Sequence, residues 1–151
     1  MHTAKQFSVS LVNKPGRLAE MLTTLGKAKL TFRAMSVMDS GDRGTVRFVP
    51  DDPAAAAEVL DLANITYDRS DVLLVEVPNQ SGGFRKLCER LAAERLNIDY
   101  AYCAFDSAGK AKGGVLAVVK VNDLAKAQRA LEANGSTSRR SKPGRRPVHA
   151  R

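Results

Sequence analysis

The chain has 151 residues, 44% of them hydrophobic and 5% aromatic, with a net charge of +8 and two cysteines. That length holds one domain or two small ones, and no run of 18 or more apolar residues or basic-then-apolar leader is present, so a membrane span and a secretory signal are excluded and the cytoplasm is the default compartment. Six of the eight net positive charges lie after Glu132, at Arg139, Arg140, Lys142, Arg145, Arg146 and Arg151, which leaves +2 for residues 1–133. The basicity therefore belongs to the tail and does not mark the folded part as a nucleic-acid binder.

Met1 to Lys5 reads as a short polar lead. Phe7, Val9 and Leu11 alternate with polar residues, the pattern of a half-buried strand. Asn13-Lys14-Pro15-Gly16-Arg17-Leu18 follows, then Leu18, Met21, Leu22 and Leu25 on one helical stripe. Pro15 disfavours helix at Lys14, so the helix starts at or after Pro15. The turn thus delivers a strand into a helix whose first amides suit a carboxylate or phosphate. A second strand is expected over residues 30–38, with apolar groups on both faces, which implies helices on one side and a partner on part of the other. Asp39 to Gly44 reads as a hairpin turn into a strand at 45–49. Asp52 and Pro53 read as N-cap and first residue of a helix over 54–63. Ile65 to Arg69 is a short fourth strand.

The order β-α-β-β-α-β then repeats. Adding 66 carries Asn13 to Asn79, Gly16 to Gly82, Leu18 to Phe84, Leu25 to Leu91 and Leu30 to Leu96. A strand is expected at 72–77, a helix at 82–95, a strand at 97–105, a turn at 106–110, a strand at 115–121 and a helix from about 122 to 133. Asp51-Asp52-Pro53 recurs 71 residues on, so the hairpin loop carries five extra residues. The second copy then breaks off into a Ser-, Arg- and Pro-rich segment with the composition of disorder. The fold class is α+β: two ferredoxin-like βαββαβ sandwiches in tandem over residues 5–70 and 71–134, the second lacking its last strand, with a basic tail from 135 to 151. The missing strand leaves the edge of residues 72–77 to be covered by the other unit or by a partner chain.

The string Asn13-Lys14-Pro15-Gly16-Arg17-Leu18, a helix, then Leu30-Thr31-Phe32 entering a strand, resembles the ACT domain, a regulatory module of amino-acid enzymes. The resemblance covers residues 5–133 as two copies without a catalytic domain, as in stand-alone bacterial ACT pairs. It implies binding of an amino acid at the interface between units, signalled by altered packing. It also implies a homodimer, and an amino-acid biosynthetic enzyme as a possible partner. The ligand-binding positions it implies are Asn13, Pro15, Gly16, Arg17, Leu18 and Thr31 in the first copy. In the second they are Asn79, Ser81, Gly82, Gly83, Phe84 and Asn97. Ser81 stands where Pro is usual and Thr31 where Asn is usual.

Other readings stand beside these. Asn13 and Asn79 close their own turns, contact a ligand, or do both. Tyr100 and Tyr102 read as core or interface packing. Arg33 and Arg47 read as exposed polar positions, an anion on the open sheet face being the alternative. Catalysis is not expected: His2 and His149 lie near the ends, and Cys88 and Cys103 read as buried free thiols with no histidine beside them. No cofactor or metal is expected. Two alternatives remain, a regulatory subunit of the acetolactate synthase small-subunit type and salt-dependent nucleic-acid binding through the tail.

Overall fold

The computed structural model describes residues 1–78, 80–105 and 114–136. The expected turn at 106–110 and the tail beyond 136 lie outside the described residues. The elements run β1 (His2–Val12), α1 (Arg17–Lys27), β2 (Phe32–Ser40), β3 (Arg43–Pro50), α2 (Pro53–Leu62), β4 (Tyr67–Pro78), α3 (Gly83–Ala93), β5 (Ile98–Phe105), β6 (Gly114–Val121) and α4 (Leu124–Ser136). The order βαββα runs twice, from β1 and again from β4, with β4 also closing the first copy; the six strands among the described residues join one antiparallel sheet in the order β2-β3-β1-β4-β6-β5.

Two expectations change. The last strand of the first unit and the first strand of the second are one continuous strand, β4. The polar lead is not a lead: residues from His2 onward belong to β1. Its first half pairs with the middle of β4, His2 against Leu74, Thr3 against Leu73 and Ala4 against Val72. The start of β1 therefore occupies the place that the second unit's own last strand would take. Alternation failed to flag it because the segment is held by backbone pairing to β4, which needs no apolar face.

The register carries the repeat. Phe7 pairs with Phe48 and Leu73 with Val119, while Phe32 pairs with Pro50 and Ile98 with Val121. Offsets of 66 for the first partner and 71 for the second relate each pair to its copy. Both hairpins carry the same irregularity, between Phe32 and Ala34 and between Ile98 and Tyr100. Lys5 pairs with Asp71, its own equivalent at an offset of 66, so the pseudo-dyad relating the two units passes between them. Their side chains form an exposed ion pair at 2.5 Å.

The helices cover one face. Under α1 and α2 lie Phe7, Val9, Met21, Leu25, Val46, Phe48, Ala56 and Leu60. Under α3 and α4 lie Leu73, Val77, Leu87, Leu91, Val119, Val121, Ala127 and others. Phe48 stacks on Phe7 at 5.5 Å between ring centroids and meets Phe32 edge-on at 5.3 Å. The opposite face was expected to need a partner. Instead the sheet curls until its edge strands β2 and β5 come into contact, and a third cluster forms inside the curl with no helix in it. The cysteines are free as expected, but Cys88 is half-buried and Cys103, on the edge strand β5, is exposed.

Phe48→Ala is expected to cost about 3–5 kcal/mol in denaturant unfolding, since the ring is fully enclosed and its neighbours cannot collapse into the space. Deleting residues 1–4 should lower stability by on the order of 2–4 kcal/mol, several degrees of Tm, by removing the ladder that caps Val72–Leu74. An unchanged melting curve would show that this segment does not act as the second unit's last strand.

Candidate functional site

Four helices start in two different ways. In α2 the carboxylate of Asp52 accepts from the amide of Ala55 at 3.1 Å. In α4 the carboxylate of Asp123 accepts from the amide of Lys126 at 3.1 Å. These are ordinary side-chain caps. By contrast α1 and α3 start at Gly16 and Gly82, in the left-handed region at φ +89° and +80°, and neither has a side-chain cap. The positive φ is what requires glycine at both positions. A Cβ on Gly16 would meet nothing within 4 Å, so that position opens on free space. The Arg17 amide donates to the Lys14 carbonyl at 3.3 Å and the Gly83 amide to the Gln80 carbonyl at 3.1 Å, which leaves the next two amides of each helix, Leu18 and Ala19 in α1 and Phe84 and Arg85 in α3, for a ligand or for water.

Asn13 is held by the neighbouring hairpin rather than by its own backbone. Its Nδ2 donates to the Asp39 carboxylate at 3.3 Å and to the Gly41 carbonyl at 3.2 Å, and its amide donates to the Asp42 carbonyl at 2.9 Å. Pro15 and Arg17 are exposed, and Arg17 pairs loosely with Glu20 at 3.7 Å. Leu18 turns inward against the first unit's core. In the second copy Asn79 lies outside the described residues. Ser81 is exposed. Gly83, the equivalent of Arg17, is buried, and a Cβ there would stand 2.4 Å from the Pro78 carbonyl oxygen. Its role is close helix–strand approach. Phe84 is 39% exposed and lines a cleft of about 140 Å³ with Val77, Pro78, Gln80, Cys103 and Val115. Partial burial raises the pKa of the Cys103 thiol.

Thr31 and Asn97 stand apart from the turn of their own copy. The Thr31 hydroxyl donates to Asp51, and the Asp51 amide returns to the Thr31 carbonyl at 3.0 Å. The Asn97 amide donates to the Asn122 side chain at 3.0 Å, and its Nδ2 donates to Asp99 at 2.9 Å. Both residues thus join the start of one strand to the residue before the cap of the unit's second helix. Asn13 follows the Val12–Arg43 end of the ladder, whereas Thr31 precedes the Phe32–Pro50 end. At about 3.3 Å per residue the length of β2 separates these ends by roughly 26 Å. Because β4 runs antiparallel to β1, Thr31 stands at the end of the sheet where α3 starts, and Asn97 at the end where α1 starts.

Sequence reading missed the inner face of the curl. Gln6 is fully buried there and binds the hydroxyls of Tyr100 and Tyr102, the latter donating to its Oε1 at 2.8 Å. Burial, with Tyr100 adding to it, raises the pKa of the Tyr102 hydroxyl. The signal available was the polar phase of the first strand, Gln6, Ser8 and Ser10, which reads equally well as solvent-facing. Among the described residues no group of three His, Cys, Asp or Glu side chains could hold a metal ion.

Residues 2–133 match the ACT domain pair family. No match is found among curated proteins. A Bacteroides thetaiotaomicron protein of known crystal structure is 27% identical, with a TM-score of 0.80 over 88% of this chain and 89% of that one. The regulatory subunits of aspartate kinase from Thermus thermophilus and Thermus flavus share the fold at 15% and 17% identity. Their TM-scores are 0.60 and 0.61, over 90% of this chain and 93% and 92% of theirs. ACT domains are regulatory modules without a catalytic centre of their own, and the chain belongs to this family as a pair of ACT domains in one polypeptide.

Proposed function

We propose that the chain is a non-catalytic cytoplasmic regulator that binds an amino acid between its two ACT units, residues 5–70 and 71–134. Ligand then alters how the units pack, and the change is read by a second copy in a homodimer or by an amino-acid biosynthetic enzyme. The observation that carries this reading is the uncapped start of α1 and α3 at equivalent left-handed glycines, beside the Asp-capped α2 and α4. A carboxylate suits those free amides, and an ammonium needs oxygen acceptors such as the Asn13 Oδ1, which is unused among the described residues. The antiparallel relation of the units brings each turn to the end of the sheet that holds the other unit's strand opening. One site would combine Asn13, Pro15, Gly16, Arg17 and Leu18 with Asn97. The other would combine Asn79, Ser81, Gly82, Gly83 and Phe84 with Thr31. The likeness to aspartate kinase regulatory subunits supports a regulatory role.

A ligand that favours one packing of the units shifts them only by its difference in affinity for the two packings. In a thermal-shift series against the twenty amino acids, the cognate one at a hundred times its Kd should add about 2.7 kcal/mol, a rise of several degrees in Tm. Gly16→Ala should cut that rise and cost the free protein about 1 kcal/mol or more, because alanine is strained at φ +89°. A flat response to all twenty would remove the amino-acid reading.

A further inference from the structure

The inner face of the curled sheet is built differently in its two halves, although the repeat relates them position by position. In one half six buried residues pack together: Ala34, Val49, Val72, Leu74, Leu116 and Val118. The offsets of 66 and 71, together with the register, give their equivalents in the other half. They are Tyr100, Lys120, Gln6, Ser8, Thr45 and Arg47. All six apolar positions become polar or charged. Where the first half is filled, the second encloses a cavity of about 350 Å³, lined among others by Ser8, Thr45, Arg47, Ser70, Tyr100 and Lys120. That volume is in the range of small-molecule sites.

The charges in this half do not pair with one another, although Asp99 accepts from the Asn97 Nδ2 at 2.9 Å. The Arg47 guanidinium lies 3.9 Å over the Tyr100 ring, and its Nε is buried without a hydrogen-bond partner among the described residues. The Lys120 Nζ reaches only the Val121 carbonyl, at 3.3 Å. Two carboxylates, Asp68 and Asp99, also line the cavity. They stand where the filled half has His2 and Arg33, whose side chains touch each other at 2.5 Å. None of the ion pairs among the described residues joins Arg47 or Lys120 to Asp68 or Asp99. Cations on the floor and acids at the rim, facing one space without pairing, leave both signs to be met by something else.

The geometry points to a second binding site here, for a small zwitterion whose carboxylate meets Arg47 and Lys120 and whose ammonium meets Asp68 and Asp99. The hydroxyls of Ser8, Thr45 and Ser70 complete the polar lining, and Gln6, locked by two tyrosine hydroxyls, holds Tyr100 in place under the guanidinium. Arginine suits a carboxylate because its planar fork presents two parallel donors. The site shares its ligand class with the regulatory reading above but none of its residues.

The test is a series of amide-resolved NMR titrations of the full chain with each of the twenty amino acids. It is repeated on Arg47→Gln, which keeps the stem over Tyr100, and on Asp68→Asn, an exposed and isosteric change that keeps the fold testable if the first variant is unstable. At least one amino acid should move the resonances of Ser8, Thr45 and Ser70, and each folded variant should weaken that response at least tenfold. Shifts confined to residues 13–18 and 80–84, or an unchanged Kd in the variants, would overturn this site and leave the regulatory reading standing. Shifts in the curl that survive Gly16→Ala but not Asp68→Asn would uphold this site against the turns. No shift with any amino acid would overturn both.

Discussion

The antiparallel pairing of β1 with β4 is the contact on which the rest depends. Each of these strands serves both units. β4 ends the first unit and begins the second, and β1 begins the first while its opening residues close the second. Separate sandwiches of about 65 residues would each be near the lower limit of an independent core. Two separate four-stranded units would need eight strands; sharing the two central ones joins both units in one sheet of six. The exposed Lys5–Asp71 ion pair marks the dyad but adds little stability itself, because both groups stay in water.

Continuity at the centre sets what happens at the edges. A six-stranded antiparallel sheet twists, and helices packed on one face favour curvature away from them. The curl brings β2 to β5 and creates an inner face that neither unit has alone. One half of that face is a close-packed apolar cluster, which ties Ala34 and Val49 of the first unit to Leu116 and Val118 of the second. The other half is polar and hollow. The asymmetry costs the second half several apolar contacts, each buried aliphatic side chain being worth about 1.5–3 kcal/mol. A chain that forgoes that packing in one half only is shaped by something other than stability.

The helix starts follow the same division between structure and use. Aspartate caps fix α2 and α4, the helices that follow β3 and β6. Glycines in the left-handed region start α1 and α3 without a side-chain cap. Within that shared scheme the copies differ. Gly83 is pressed against the Pro78 carbonyl, whereas Arg17 at the equivalent point is exposed. The second turn is therefore tighter than the first, and the two are not interchangeable as sites.

The sequence by itself determined the element types, the repeat and the family, because these rest on local periodicity and on turn chemistry. Leu18, Met21 and Leu25 on a helical stripe, Asp52 before Pro53 and the glycines at 16 and 82 each act within a few residues of themselves. What only the tertiary structure decided is pairing. A paired strand edge looks no different in sequence from a free one, so His2–Ala4 read as a lead although they pair with β4. Gln6 and Ser8 read as the polar phase of the first strand, and Arg47 as an exposed position or an anion contact on the open sheet face, because a polar phase reports that a face avoids the apolar core, not what it faces. The curl turns that face inward, and only its closure places Arg47 over Tyr100, 53 residues away in sequence.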